Sequence, residues 1–296
     1  MDPKLFIVIT DFNGFEQTKN CLDALRESFF QDFTVVVVDH GTTNETQRSL
    51  EHEYPGVVRI VGSPELWWTG ATNLGIRHAL GCGADLVMLL NNDCYVTPET
   101  IGELIALWKE NPQSLIAPVQ RDKLTGKILA ITLRSCFLLG FPTMPGPRTL
   151  TPQMHTQRLL STQLIGGGRG VLLPVPVFKE IGFFDEVNLP HYGADHDFYL
   201  RAANNKWPLY VAARAIVDID DTRSTIVENL SEMSFNQWLL SLSHYRSHRN
   251  IAHVCALFKK NYPINKLYLI GVFLYTLRYL VVFFISKGKF VIFSSR

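Results

Sequence analysis

The last fifth of the sequence has no negative charge. From residue 233 to residue 296 there is no Asp or Glu, whereas nine lysines and arginines lie in the same segment. The whole chain has a formal charge of only +1, so the first 232 residues are acidic. Such an asymmetry indicates that the basic segment has an anionic surface as its partner.

Several common motifs are also missing. The five cysteines show neither the spacing of metal ligands nor that of a disulfide framework, which is typical of a reducing compartment. The N-terminus runs directly into a short apolar strand and predicts no signal peptide, so we expect the body not to be exported. No Walker lysine and no GxGxxG occur, which excludes P-loop NTPases and Rossmann dehydrogenases.

Apolar and helical segments alternate in the first hundred residues. Hydrophobic residues make up 47% of the chain and charged residues 19%, so general disorder is excluded. Strands are predicted at residues 5–10, 33–38, 57–61 and 86–90, with a helix between each pair, and further strands at 115–118, 208–211 and 215–217. Repeated βα units predict an α/β fold with a parallel sheet. Apolar residues show no regular spacing over residues 134–161, so this segment is predicted to form a long irregular loop. Loops of this length are often functional lids.

Two of the predicted strands end in acids. The run at 86–90 is followed by Asn91, Asn92 and Asp93, and the run at 33–38 is followed by Asp39. Open α/β sheets bind ligands at the carboxyl ends of their strands. A carboxylate there can hold a hard divalent cation, and that cation can hold a diphosphate. The alternative is that these residues only cap helices or form turns.

A second group of polar residues lies at the start of a later helix. Asp195 and Asp197 flank His196, shortly after His191 and Tyr192. Carboxylates are common at a helix N-terminus, so capping is the plain interpretation. One of these acids could instead act as a general base, provided that it reaches an acceptor hydroxyl.

A glycine-rich stretch precedes this group. Gly166, Gly167 and Gly168 would allow the backbone to approach a ligand closely, and Arg169 could meet a phosphate. The alternative is a bulged strand.

In this order and spacing the motifs resemble the family 2 inverting glycosyltransferases of the GT-A fold. Among them the chain is most similar to the rhamnosyltransferase-like enzymes of bacterial surface-polysaccharide assembly. The resemblance covers about residues 4–225. Its motifs lie at residues 9–14, 38–42, 68–73, 91–93, 182–185 and 194–197, followed by Arg201. It implies a Rossmann-like, mostly parallel sheet flanked by helices.

The resemblance implies a role for each motif. Asp39 would contact the nucleotide base, Asn91 and Asp93 would take the outer positions of a DxD motif that binds Mg²⁺ or Mn²⁺, and Asp195 would be the catalytic base. Further donor-binding residues would be Thr10, Asn13, Trp68, Gly70, Asn73, Asn92, Gly168 and Arg169. On the acceptor side would be His191, Tyr192 and Asp197.

The chain departs from the family pattern at three points. The first acid of the DxD motif is the amide Asn91, so Asp93 would carry most of the metal binding. Ala194 replaces the acid that often precedes the base. Where many relatives have a His after the last core strand, Asp218 or Asp220 stands, which leaves a third ligand open.

The implied activity is transfer of a sugar, with inversion, from a nucleotide diphosphate sugar to a hydroxyl of a lipid-linked saccharide. Relatives often use dTDP-rhamnose. One alternative is a nucleotidyltransferase, although the loop at residues 10–14 lacks a glycine-rich, basic triphosphate signature. Another alternative is a degenerate sugar-binding module, suggested by Asn91 and Ala194. We expect no nucleic-acid partner.

We expect residues 1–232 to form the catalytic domain and residues 233–296 a tail that associates with the membrane. Residues 267–285 are almost all apolar and long enough to span a bilayer, but Arg278 lies mid-segment, where a charge is costly. Lysines flank both ends, so no orientation is selected. These features favour helices lying in the cytoplasmic face of the inner (plasma) membrane. The alternative is a tail that packs on the catalytic domain or on a second subunit.

Overall fold

The computed structural model describes residues 2–220 and 233–294, with side chains up to residue 287. Its strands are β1 (Leu5–Asp11), β2 (Phe33–Asp39), β3 (Val58–Val61), β4 (Leu86–Leu90), β5 (Cys94–Val96), β6 (Leu115–Asp122), β7 (Ile128–Ala130), β8 (Leu133–Cys136), β9 (Phe141–Pro145), β10 (Leu159–Ser161), β11 (Arg169–Pro174) and β12 (Leu209–Ile219). Its α-helices are α1 (Phe15–Arg26), α2 (Glu45–Glu53), α3 (Trp67–Gly81), α4 (Thr100–Glu110), α5 (Pro152–Gln157), α6 (Pro176–Ile181), α7 (Ala194–Asn204), α8 (Phe235–Ser241), α9 (Ile251–Asn261) and α10 (Tyr268–Ser294).

The first four strands form the predicted parallel sheet. β1 lies between β2 and β4, β3 pairs with β2, and all three pairings are parallel. The sequences of β1 and β4 are continuous apolar runs because helices cover both faces of the sheet. The carboxyl ends of β1, β2 and β4 therefore meet at one edge.

Antiparallel strands enter in the second half of the sheet. The full order is β10-β12-β6-β11-β4-β1-β2-β3, and β11 runs antiparallel to both β4 and β6. The register of β11 against β4 shifts between Arg169 and Val171, where Gly170 has a positive φ of 83°. The bulged strand considered for the glycine-rich stretch is therefore present. The α/β class, with a mostly parallel sheet flanked by helices, is confirmed.

The prediction of one long irregular loop over residues 134–161 is wrong. The segment contains most of the β8–β9 hairpin, the short helix α5 and the strand β10, which pairs with β12. Thr151 begins α5 by accepting a hydrogen bond from the backbone N–H of Met154, and Pro152 occupies the first helical position. The two strands of the hairpin are short and only partly buried, so they produce no apolar alternation in the sequence.

The sequence of residues 66–75 predicts a loop that leads into a helix, but α3 already begins at Trp67. The helix packs closely on the sheet at Gly75, where a Cβ atom would lie 2.4 Å from Cγ1 of Val8 and 3.0 Å from Cγ2 of Val38. Glycine is a weak helix former, which hid the start of this helix in the sequence. Here the lack of a side chain allows the helix to approach β1 and β2.

The tail packs on the body. Leu257 and Phe258 of α9 lie in the same hydrophobic core as Phe198 of α7. On α10, Val272 and Tyr275 lie in this core as well, and a Cβ atom on Gly140 would lie 2.5 Å from the backbone nitrogen of Tyr275. This is the packing on the catalytic domain that the sequence left open, and it concerns one face of α10.

The opposite face of α10 is apolar and exposed. Phe273, Leu277, Val281 and Phe284 recur at helical spacing and are between 40% and 63% exposed. In the part of the chain that the structure describes, the segment Asn265–Lys287 is the one helix long and apolar enough to cross a membrane by length and composition, with a mean hydropathy of 2.0. Only 22% of its most apolar window is buried.

The contact at Gly75 gives a test of the fold. We expect Gly75→Ala to lower the free energy of unfolding by about 1–3 kcal/mol, because the added methyl group overlaps Val8. The matched control is Gly81→Ala at the end of the same helix, where an added Cβ meets nothing within 4 Å. Denaturant unfolding measures both variants. Equal stability of the two would contradict this packing of α3.

Candidate active site

The loop after β1 is organised by a buried acid that the sequence analysis did not single out. Asp11 is fully buried, and its carboxylate accepts hydrogen bonds from the backbone N–H of Gly14 and the hydroxyl of Thr46, both at 2.7 Å. Burial is the main influence on this carboxyl group and raises its pKa. Asp11 thus connects the loop to the first turn of α2.

Asn13 connects the same loop to the turn after β2. Its side-chain oxygen accepts hydrogen bonds from the backbone N–H groups of Thr42 at 2.8 Å and Thr43 at 3.2 Å. Asn13 was predicted as a donor contact, and it lies at the expected edge beside the half-buried Thr10. Its side chain holds the two loops together.

Asp39, the predicted contact to the nucleotide base, is held by an arginine from the neighbouring strand. Its Oδ2 atom lies 2.8 Å from Nη2 and 2.9 Å from Nε of Arg59 on β3. Only 4% of Asp39 is exposed. The sequence signal for this partner is an arginine in an otherwise apolar run, and the sequence analysis did not use it.

At the end of β4, Asn91, predicted as a metal ligand, contacts Trp68 and Gly168, which were predicted to bind the nucleotide donor. The side-chain oxygen of Asn91 accepts a hydrogen bond from Nε1 of Trp68 at 2.9 Å, and its backbone N–H donates to the carbonyl of Gly168 at 2.7 Å. A Cβ atom on Gly168 would lie 3.0 Å from both Asn91 Oδ1 and Trp68 Cζ2. The absence of a side chain at Gly168 therefore lets β11 close on this edge.

Asp93 lies in the turn between β4 and β5, next to the end of β12. Its carbonyl oxygen accepts a hydrogen bond from the backbone N–H of Asp220 at 2.8 Å. Asn92 donates to the hydroxyl of Thr18 at 3.1 Å, which fixes the turn on α1. The structure therefore places Asp220 beside Asp93.

Asp218, the other acid left open as a third ligand, has a different position. It forms a two-pronged ion pair with Arg121 of β6, in which Nη2 lies 2.8 Å from Oδ2. Arg169 of β11, predicted to bind the nucleotide donor, donates a hydrogen bond to the side-chain oxygen of Gln120 at 3.1 Å.

Gly70 and Asn73, predicted to bind the nucleotide donor, lie inside α3. Gly70 is buried against the side chain of Leu66. Asn73 is fully buried. Its side-chain amide donates hydrogen bonds to the carbonyl of Phe184 at 2.9 Å and to a carboxylate oxygen of Glu186 at 2.6 Å. Asn73 thus positions the segment before α7 on α3.

Asp195, the predicted base, lies in the first turn of α7 and faces the glycine-rich segment. Its Oδ2 atom accepts a hydrogen bond from the backbone N–H of Gly167 at 2.8 Å. Its Oδ1 atom lies 2.9 Å from Nδ1 of His196, whose Nε2 contacts the hydroxyl of Thr143 on β9. Thr143 lies in the segment predicted to be irregular, and its sequence gave no signal.

Opposing influences set the pKa of Asp195. Burial is the largest of them and disfavours the carboxylate, but the charge of His196 and hydrogen bonds from His196 and Gly167 together outweigh it. The pKa of Asp195 therefore lies well below its usual range. For His196, burial lowers the pKa and the charge of Asp195 raises it, with a net upward shift. Asp195 is thus an ionised carboxylate near neutral pH.

Asp197, predicted on the acceptor side, also lies in the first turn of α7. It is fully buried. Its Oδ2 atom lies 2.8 Å from Nε of Arg201 and 3.5 Å from Nζ of Lys260 in the tail. Residues two apart on a helix point to nearly opposite sides, so Asp197 faces away from the side on which Asp195 meets Gly167. Asp197 anchors α7 to the tail.

The other two predicted acceptor-side residues lie between α3 and the tail. The His191 ring is 5.8 Å from that of Trp67, and the Tyr192 ring is 3.8 Å from that of His248. Burial, followed by the charge of Arg246, lowers the pKa of His191 to about 4. The residues between α8 and α9 therefore belong to this region, although the sequence analysis assigned them only to the tail.

The chain belongs to glycosyl transferase family 2, whose family model matches residues 6–157. This range includes Asp39, Asn91 and Asp93 and ends before Asp195. No curated protein matches the sequence.

Solved structures with the same GT-A fold are similar to the chain over most of its length. GalNAc-T7, solved with UDP, GalNAc and Mn²⁺, has a TM-score of 0.61 and 12% identity, covering 90% of this chain and 54% of its own. S. aureus TarS has a TM-score of 0.56 and 14% identity, covering 92% and 54%. Its fragment 1–349 in complex with UDP has a TM-score of 0.55 and 14% identity, covering 92% and 89%. The chain thus spans about half the length of GalNAc-T7 and of the longer TarS chain.

The pair of His196 and Asp195 predicts a pH-dependent stability. Because the folded-state pKa of His196 is raised, its protonated form stabilises the fold below the unfolded pKa of about 6.5, and this contribution is lost as the pH rises through the raised value. We expect His196→Gln to cost more unfolding free energy at about pH 5.5 than at about pH 9. Urea unfolding of both proteins at each pH measures the difference.

The control for this experiment is His52→Gln on the exposed helix α2. A cost of His196→Gln that stays the same at both pH values would show that the imidazole is not charged beside Asp195.

Proposed function

We propose that the protein transfers a sugar from a nucleoside diphosphate sugar to a hydroxyl group with inversion at the anomeric carbon. The observation that carries this proposal is the junction at Gly167 and Gly168, whose backbone is hydrogen-bonded to Asp195 on one side and to Asn91 on the other. This junction supports a proposed base and a proposed diphosphate site that act on the same substrate. UDP in the GalNAc-T7 and TarS structures supports a nucleoside diphosphate as the donor fragment.

Asp195 is suited to the role of base by its geometry. One carboxylate oxygen is occupied by the N–H of Gly167 and the other contacts His196, so the orientation of the carboxylate is fixed. An ionised carboxylate can accept a hydrogen bond from the acceptor hydroxyl and take its proton as the oxygen attacks. His196, held by Thr143, is a positioning residue that stabilises the charge of Asp195.

The donor's diphosphate has to be stabilised as it leaves. Asn91 and Asp93 supply a carbonyl and a carboxylate oxygen, which are ligands that Mg²⁺ and Mn²⁺ accept. Among the described residues no group of three His, Cys, Asp or Glu side chains could hold a metal. That fits a cation that binds with one carboxylate and with the substrate phosphates, and such a cation would neutralise charge on the leaving group.

The proposed base predicts a defined kinetic effect. Asp195→Asn should lower kcat by about 100- to 10,000-fold, because the general base is lost while the side chain keeps its size. Binding of the donor nucleotide should be retained. Initial rates with the donor found in a thermal-shift screen of UDP, dTDP and GDP sugars measure the effect.

Asp122→Asn, in an exposed turn, is the control for loss of a carboxylate elsewhere. Near-full turnover of Asp195→Asn would rule out Asp195 as the base.

The diphosphate site predicts a metal-linked loss of binding. Asp93→Ala should remove the part of the affinity for nucleoside diphosphate that depends on Mn²⁺ and leave the weaker, metal-independent part. Calorimetric titrations with and without Mn²⁺ measure both parts. If Asp93→Ala binds as tightly as the wild type in the presence of Mn²⁺, the metal assignment is wrong.

We further propose that α10 lies on the cytoplasmic face of the inner membrane, where the enzyme would meet a lipid-linked saccharide of cell-envelope assembly. The guanidinium of Arg278 is 4.4 Å from the ring centroid of Phe141, so this charge faces the body rather than lipid. Phe283 of α10 also contacts α8, where its ring lies 6.1 Å from that of Trp238. A helix held along the body while its other face is apolar is suited to lying in the membrane surface.

Liposome flotation tests this placement. The full chain should float with anionic liposomes, because apolar burial and basic residues without competing acids both favour that surface. Phe273→Glu combined with Phe284→Glu should abolish flotation. The matched control is Val187→Glu on the body, where Val187 is 84% exposed. If the wild type stays unbound, or the double variant floats equally well, α10 is not a membrane anchor.

A further inference from the structure

Residues of the tail reach over the edge of the sheet where the donor is proposed to bind. The ring of Tyr245 stacks on that of Trp67 at 5.3 Å. The guanidinium of Arg246 lies 5.2 Å from the ring centroid of Phe12 and 5.8 Å from that of Trp67. Phe12 directly follows β1 and Trp67 begins α3, so Arg246 is held at the same edge as Asp39 and Trp68.

Two histidines face the same region from the body. His40 follows Asp39, its ring is 5.3 Å from that of Phe12, and only 5% of it is exposed. His191 lies on the other side of Trp67. In the described part of the chain, the Nδ1 atoms of both histidines are buried and have no hydrogen-bond partner. Buried polar atoms of this kind indicate an absent ligand or water.

Arg246 has no neutralising acid among the residues that the structure describes. Among residues 2–220 and 233–287, no carboxylate forms an ion pair with it. Its positive charge lowers the pKa of both His40 and His191, for which burial is the larger cause. The exposed guanidinium of Arg246 therefore places a positive charge at this edge where a ligand can reach it, and that ligand should be an anion.

We infer that Arg246 binds the diphosphate of the nucleotide donor and that the tail segment carrying it completes the donor site. A guanidinium held in place by two aromatic rings can bind phosphate oxygens with two hydrogen bonds at little entropic cost. Trp67, which Arg246 contacts, directly precedes Trp68, whose Nε1 donates to Asn91 at the proposed diphosphate site, and this position favours the donor diphosphate over a phosphate of the acceptor. This inference rests on the proposed function, and it gives the tail a role besides membrane binding.

Calorimetry on the full chain with Mn²⁺ tests the inference. The probes are a nucleoside, its monophosphate and its diphosphate, with the base chosen as the best binder among UDP, dTDP and GDP. Arg246→Gln should weaken diphosphate binding by about 10- to 100-fold, the effect of losing a charged hydrogen-bond donor. It should leave nucleoside binding unchanged. Arg246→Lys should recover part of the affinity.

Arg278→Gln is the matched control, because Arg278 is also a tail arginine above aromatic rings but lies on Phe141, Tyr275 and Tyr279. It should bind all probes as the wild type does. Melting temperatures show that each variant is folded.

The outcomes separate the inference from the function on which it rests. If the wild type binds no nucleoside diphosphate, the proposed function fails. If the wild type binds and Arg246→Gln binds equally well, or loses nucleoside affinity to the same extent, the diphosphate role of Arg246 is wrong. Geranyl diphosphate serves as a probe for the acceptor. A loss confined to that probe would assign Arg246 to the acceptor and overturn the inference.

Discussion

The site depends on two hydrogen bonds made by the backbone of consecutive glycines. The N–H of Gly167 donates to Asp195, and the carbonyl of Gly168 accepts from the N–H of Asn91 at 2.7 Å. Because adjacent residues make both bonds, the segment that carries the proposed base and the segment that carries Asp93 cannot move independently. The bulge at Gly170 allows β11 to deliver these glycines while remaining paired with β4. A side chain at Gly168 would push this junction away from Asn91 and Trp68.

Much of the N-terminal half of the fold could be predicted from the sequence, because its strands are apolar on both faces and are separated by helices. In the second half, strands were predicted within β6 and β12, but the order of the strands could not be predicted because their pairings are long-range. β11 pairs with β4 across about eighty residues and β10 with β12 across about fifty, and such pairings leave no local signal. The β8–β9 hairpin is short and half-buried, so its pattern resembled an irregular loop. The glycines of α3 hid a helix, because glycine is typical of turns, whereas here it allows close packing on the sheet.

The site was predicted unevenly. Asp39, Asn91 and Asp93 follow strands of one sheet, so their placement at one edge follows from topology, whereas Asp195 was linked to them only by family resemblance. Asp197 and Asn73 belong to motifs of that resemblance, but each is buried with several partners, which is how proteins satisfy interior polar groups. Arg59, Thr143 and Arg246 were missed because single residues from distant segments acquire a role only through three-dimensional contact. Packing of the tail on the body, one of the two interpretations that the sequence left open, is present on one face of α10, while the other face is apolar and exposed.

The identity of the leaving group tests the account most directly. The full chain is incubated with Mn²⁺, the nucleotide sugar that raises its melting temperature most, and a saccharide acceptor, and the released phosphate compound is identified by chromatography. The account predicts nucleoside diphosphate in amounts equal to the glycosylated acceptor. Release of pyrophosphate would indicate a nucleotidyltransferase. If the nucleotide sugar binds but no nucleoside diphosphate or pyrophosphate is released with any of a panel of acceptors, the protein is a non-catalytic sugar-binding module. Either result would contradict the account.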